Sequence, residues 1–156
     1  MMNIKLRLTL ILTFSLLIIA FQSCQKENGE NESKISSNGT SRSHHTGQDC
    51  MSCHSSGGSG DGLFTVAGTV YDVAKINIYP NTTVNLYTGI NGTGTLKYTI
   101  SGDAIGNFYT TQNIDFGSGL YPSVQGSAAP KHMPTAITNG KCNSCHGVST
   151  DKIWTN

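Results

Sequence analysis

Charged residues are scarce in this chain, 12% of its 156 residues, and the ten Lys and Arg nearly balance the nine Asp and Glu. There is no basic field to hold nucleic acid, so that class of partner is set aside. Long apolar runs are missing as well. Residues 8–21 form the one notable stretch, 14 residues long, where an ordinary bilayer span needs about 20. This argues against a polytopic membrane protein. The length is far below the roughly 250 residues of a TIM barrel and suits one ordinary domain or two very small ones. No helical stripe exceeds two turns, and no Ser-His-Asp set, paired carboxylates or phosphate loop stands out. Asp49, Asp61 and Asp72 read as turn or strand-end residues. What the chain has in excess for its size is five cysteines and five histidines.

Lys5 and Arg7 stand before the apolar run, and Gln22, Ser23 and Cys24 follow it. A basic start, a short apolar centre and a small residue before a boundary describe a secretory signal over residues 1–23, with an uncleaved anchor as the alternative. The segment Ala20-Phe21-Gln22-Ser23-Cys24 resembles a bacterial lipobox, with Phe21 and Gln22 in place of the usual leucine and small residue. That resemblance implies lipidation of Cys24 and attachment to a membrane through the lipid. Residues 25–32, which carry Glu27, Glu30 and Glu32, resemble the acidic export signal of surface-displayed lipoproteins. This implies the outer membrane or cell surface, the periplasmic face being the alternative. Residues 24–43 are polar with no apolar period and are expected to be a disordered tether.

The other four cysteines form Cys50-Met51-Ser52-Cys53-His54 and Cys142-Asn143-Ser144-Cys145-His146, two copies of Cys-x-x-Cys-His. This is the attachment signature of c-type haem. Two thiols three positions apart on one turn can add to the two vinyl groups of a porphyrin, and the following histidine comes under the iron as proximal ligand. A four-cysteine zinc site fits less well, because 88 residues separate the pairs, against 15–20 in a zinc ribbon. A Cys-x-x-Cys disulfide closes too small a loop to stabilise much. A thioredoxin-type pair lacks βαβ surroundings here. The reading is two covalently attached haem c groups, held by Cys50, Cys53, Cys142 and Cys145, with His54 and His146 on iron. Between residues 36 and 62 only Cys50, Met51 and Cys53 are apolar, so this stretch is expected to be disordered unless a haem face organises it.

Residues 63–125 read differently. Phe64, Val66, Gly68 and Val70 alternate with Thr65, Ala67, Thr69 and Tyr71, the period of a half-buried strand. Residues 84–86, 96–100 and 108–110 continue the pattern, with Asn91-Gly92, Ser101-Gly102-Asp103 and Gly117-Ser118-Gly119 as turns. The fold class expected is mainly β, a small antiparallel sandwich of five to seven strands. Haem-binding loops or short helices, at residues 44–62 and 126–156, flank it. Such a unit is marginal alone at this size, so docking against both haem segments is expected.

The stretches Val66-Ala67-Gly68-Thr69-Val70-Tyr71-Asp72, Thr83-Val84-Asn85-Leu86 and residues 101–109 resemble carboxypeptidase-regulatory, transthyretin-like sandwiches. Their placement between two Cys-x-x-Cys-His motifs is similar to small secreted dihaem c-type cytochromes. In that group a histidine and a Gly-Gln pair precede the first motif, as His44 and Gly47-Gln48 do here, and methionine lies near the position of Met133. The resemblance implies His44 and Met133 as the distal iron ligands, with His45 and His132 as second choices. Met51, inside an attachment turn, is discarded. Six-coordinate haems have no open site, so the expected role is electron transfer rather than catalysis. The partners would be redox proteins or extracellular electron acceptors, with pairing of edge strands into an oligomer or filament as a further expectation. Two alternatives stand beside it. One is a sensor or peroxidase-like enzyme with a five-coordinate haem, and the other is a binding lipoprotein whose haems are structural.

Overall fold

A computed structural model describes residues 34–156. The signal at residues 1–23, lipidation at Cys24 and the first part of the tether lie outside the described residues. Eight strands are present among those described: β1 (Val66–Tyr71), β2 (Thr83–Tyr87), β3 (Leu96–Ser101), β4 (Asn107–Thr110), β5 (Tyr121–Gln125), β6 (Lys131–His132), β7 (Gly140–Lys141) and β8 (Ile153–Trp154). They make two four-stranded sheets. The fold is mainly β, and the motif cysteines Cys50 and Cys142 each open a single 3-10 turn, Cys50–Ser52 and Cys142–Ser144. No helix among the described residues is long and apolar enough to cross a membrane.

One sheet is antiparallel throughout, in the order β3-β2-β5-β6. In the other, β4 runs antiparallel along one edge of β1, while β7 and β8 run parallel to β1. β7 covers Val66 and Ala67, β8 covers Val70 and Tyr71, and the chain between them carries the second Cys-x-x-Cys-His motif. The sequence pattern finds β1 to β4. It misses β5 because Pro122 speaks against a central strand, yet β5 lies between β2 and β6. Two-residue strands carry no period, so β6, β7 and β8 are also invisible to it. Residues 126–156 are accordingly part of the sheets as well as the carrier of a motif.

Alternation along β1 divides its side chains between two cores. Val66 and Val70 join Phe108 of β4 and Val84, Leu86, Ile100 and Val124 of the opposite sheet in the main core. Ala67, on the other face, joins Met51 and Phe64, with Cys50 and Tyr109 at the margin. Every residue of β1 is buried in consequence. Met51 is thus a packed core residue.

The tether expected to reach residue 43 lies against the sheets from Lys34 onward. Ile35 bridges to Thr110, and the Ser36 amide donates to the Tyr109 carbonyl at 3.0 Å. The Tyr109 amide in turn donates to Ser36 Oγ at 2.8 Å. Further on, Ser43 Oγ donates to the carboxylate of Asp103, a fully buried residue that also accepts the amides of Ile105 and Asn107. Polar bonds to one strand edge and one turn hold this segment in place, and a count of apolar residues does not register them.

Candidate functional site

The two motifs adopt the same local geometry. In each, the second cysteine's amide donates to the first cysteine's carbonyl, at 3.3 Å for Cys53 and 3.2 Å for Cys145. The histidine amide donates to that same carbonyl, at 3.0 Å for both His54 and His146. Asp49 caps the first turn by accepting the Met51 amide at 3.1 Å. All four cysteines are free thiols, with Cys50 and Cys142 half-buried and Cys53 and Cys145 exposed. Burial pushes the Cys50 thiol up, and it pushes Cys142 up to about 12, with the neighbouring Cys50 adding to the effect.

Both imidazoles are fixed through one ring nitrogen. His54 Nδ1 lies 3.0 Å from the Asp61 carbonyl and 3.3 Å from that of Gly62, and His146 Nδ1 lies 2.7 Å from the Asp151 carbonyl. A carbonyl only accepts, so Nδ1 carries a proton, and in the neutral ring Nε2 then keeps the lone pair that a metal requires. The His54 ring also stacks on Phe64, centroids 4.1 Å apart and planes within 7°. Phe64 stacks in turn on Tyr109. Residues 55–62 wrap the ring so closely that a Cβ at Gly60 would come within 2.8 Å of it.

Each motif faces its own cavity. The first, about 760 Å³, is lined by Cys50, Cys53, His54, His44, His45, Phe64, Asn107 and Tyr109. The second, about 480 Å³, is lined by Cys142, Cys145, His146, His132, Met133, Trp154 and core residues including Val66, Leu86 and Phe108. Both volumes are in the range of cofactor cavities. Asn107 and Tyr109 project from one face of β4 and Phe108 from the other, so the cavities lie on opposite faces of the β4-β1 sheet. Lys131 and Lys75 hold their ammonium groups 4.6 and 5.8 Å from the centre of the Trp154 ring beside the second cavity.

The sixth-ligand candidates fall at the two cavities, His44 and His45 at the first, His132 and Met133 at the second. The His44 ring lies 5.9 Å from His54, centre to centre. Two metal–nitrogen bonds of about 2 Å plus the half-width of each ring come to about 6 Å, so the spacing of the pair is of the size two ligands of one metal would need. His45 packs edge-on against His44, with a left-handed backbone (φ 51°). At the other cavity, Lys131 pairs with Val124 and His132 with Ser123, while the Met133 amide donates to the Pro122 carbonyl at 2.9 Å. Residues opposite one another across the strands share a face. Met133 therefore shares a face with Val124 and His132 the opposite one with Ser123, where a Cβ at Gly92 would meet the His132 ring at 2.8 Å, and both residues line the second cavity. His132 Nδ1 is buried with no hydrogen-bond partner.

Sequence reasoning missed a buried polar cluster between the motifs, formed by Asn143, Thr69 and Asn107. Asn143 Oδ1 accepts the Thr69 amide, and its Nδ2 donates to the Gln48 carbonyl and Thr69 Oγ1. A polar residue inside Cys-x-x-Cys was a weak signal for it. Compared with protein-family models, curated proteins and solved structures, the chain matches none.

Proposed function

We propose that this protein is an exported lipoprotein with two covalent haem c groups on a transthyretin-like β-sandwich, and that it carries electrons between redox partners outside the cytoplasm. The observation that carries the reading is the pair of matching Cys-x-x-Cys-His turns. In each, the imidazole is held through Nδ1 on a backbone carbonyl and the thiols border a separate cavity. Haem supplies reversible one-electron iron chemistry when bound. The chain's own part is to fix two imidazoles in the metal-binding tautomer, bury the cofactor faces and exclude water. His44 beside His54 supports a bis-His centre, and Met133 lining the cavity of His146 supports a His/Met centre, with His132 at the same cavity as the alternative ligand. The anchor is Cys24 and the location the cell surface, by the sequence features given above.

A pyridine haemochrome assay and intact mass on protein matured in an export-competent host test the proposal. Two haems per chain, retained after denaturation, with both irons refusing CO, are expected. Zinc without a Soret band would end the cytochrome reading. Rapid CO binding would favour the sensor or enzyme reading.

A further inference from the structure

β7 and β8 leave a gap on the edge of β1 at Gly68 and Thr69. The Thr69 amide points into that gap and donates to Asn143 Oδ1 at 3.1 Å, so a side-chain amide stands where a strand's carbonyl would be. The same side chain donates Nδ2 to Thr69 Oγ1 at 3.0 Å and to the Gln48 carbonyl at 2.8 Å. Gln48 immediately precedes Asp49, the cap of the first attachment turn, while Asn143 is inside the second. Thr69 Oγ1 extends the link, accepting the Gly47 amide at 3.0 Å and donating to Asn107 Oδ1 at 2.6 Å.

Asn143 is 4% exposed and uses its amide nitrogen and oxygen together. A residue needed only to satisfy the Thr69 amide would require an acceptor alone. The donation to Gln48 ties the second turn to the residue leading into the first, 95 residues away in the chain. Met51, at the equivalent position of the first motif, packs instead in an apolar cluster. The side chain of Asn is short and loses little entropy when held, so the link is stiff.

We propose that Asn143 is a positioning residue that clamps the two attachment turns at a fixed separation and angle and so sets the electronic coupling between the two haems. The proposal rests on the dihaem reading. It is tested by circular dichroism in the Soret region on the two-haem protein, where two fixed haems give a signed couplet that depends on their distance and orientation. Asn143→Ala removes the link. Asn143→Asp keeps an acceptor for the Thr69 amide but turns a carboxylate toward the Gln48 carbonyl. Both variants should retain two haems and lose most of the couplet. Thr69→Val, which lies in neither motif, should weaken it as well and decides the matter if the Asn143 variants do not mature. An unchanged couplet in haem-replete variants overturns the clamp. So does free hydrogen exchange at the Thr69 amide in the unmodified chain, a readout that needs no haem. Absence of haem from the unmodified protein would instead sink the cytochrome reading, with Thr69 protection still reporting on the clamp.

Discussion

Cys142 and Met133 show how single residues acquire properties from their surroundings. The Cys142 thiol is pushed up to about 12 from an ordinary value of 9.0, chiefly by burial. Above pH 9 the unfolded chain gives up this proton while the folded chain keeps it, so folding weakens as pH rises toward 12. The loss is at most about 1.4 kcal/mol per pH unit and is absent below pH 9. Urea unfolding of haem-free chain at pH 8, 9 and 10 should show the decline, and the haem-loaded chain, whose sulfur is a thioether, should lack this contribution. A flat profile in the haem-free chain would contradict the burial of Cys142. At the second cavity, Met133→Ala should lower one reduction potential, abolish the far-red charge-transfer band of thioether-ligated ferric haem and admit CO to one iron. The direction follows from methionine raising the potential of a His/Met haem. With Met133 as the ligand, His132→Ala should leave the band and both potentials in place, even though His132 borders the same cavity. Loss of the band in His132→Ala alone would reverse the assignment.

Among the elements, the segment from Lys34 to Gly47 does more than lead into the first motif. It covers the free edge of β4, where unpaired amides and carbonyls would otherwise invite another strand. Ser36, 1% exposed, donates to the Tyr109 carbonyl and accepts the Tyr109 amide, closing that edge from its side chain. Ser36→Ala leaves these groups short of a partner and should cost about 1–3 kcal/mol. The midpoint of urea unfolding measures it, and an unchanged midpoint would mean the segment adds nothing to stability. The same segment carries His44, whose carbonyl accepts from Asn107 Nδ2 at 3.4 Å. What holds the strap therefore also holds a candidate iron ligand beside His54.

For the molecule as a whole, each motif borders its own cavity on its own face of one sheet, so the two proposed haems should be lost independently. Cys53→Ala should weaken or remove one covalent haem and leave the other, read by mass and by haem stain after boiling in detergent. Loss of both haems from this one change would show that the two sites mature together. Cys24→Ala should release haem-loaded protein into the soluble fraction, since lipid is the expected anchor once residues 1–23 are removed. Retention in the membrane fraction would contradict the lipoprotein reading.

Several features were legible in the residues themselves. The motif cysteines and histidines are local, because one turn brings thiol, thiol and imidazole together at fixed spacing. β1 to β4 were legible because alternation over four or more residues records a buried face. Tertiary structure decided the rest. β7 and β8 are too short to show a period and exist only because the edge of β1 is there to pair with. Gly68 looked like one more small residue in a strand, yet a Cβ there would come within 2.6 Å of Phe108 and 2.9 Å of Cys142 Cβ. His132 and Met133 are neighbours in the chain, the second and first choices for the same ligand position. The register of β6 against β5 puts them on opposite faces of the strand while both border the second cavity, and register is a property of two strands, which neither strand's residues contain alone.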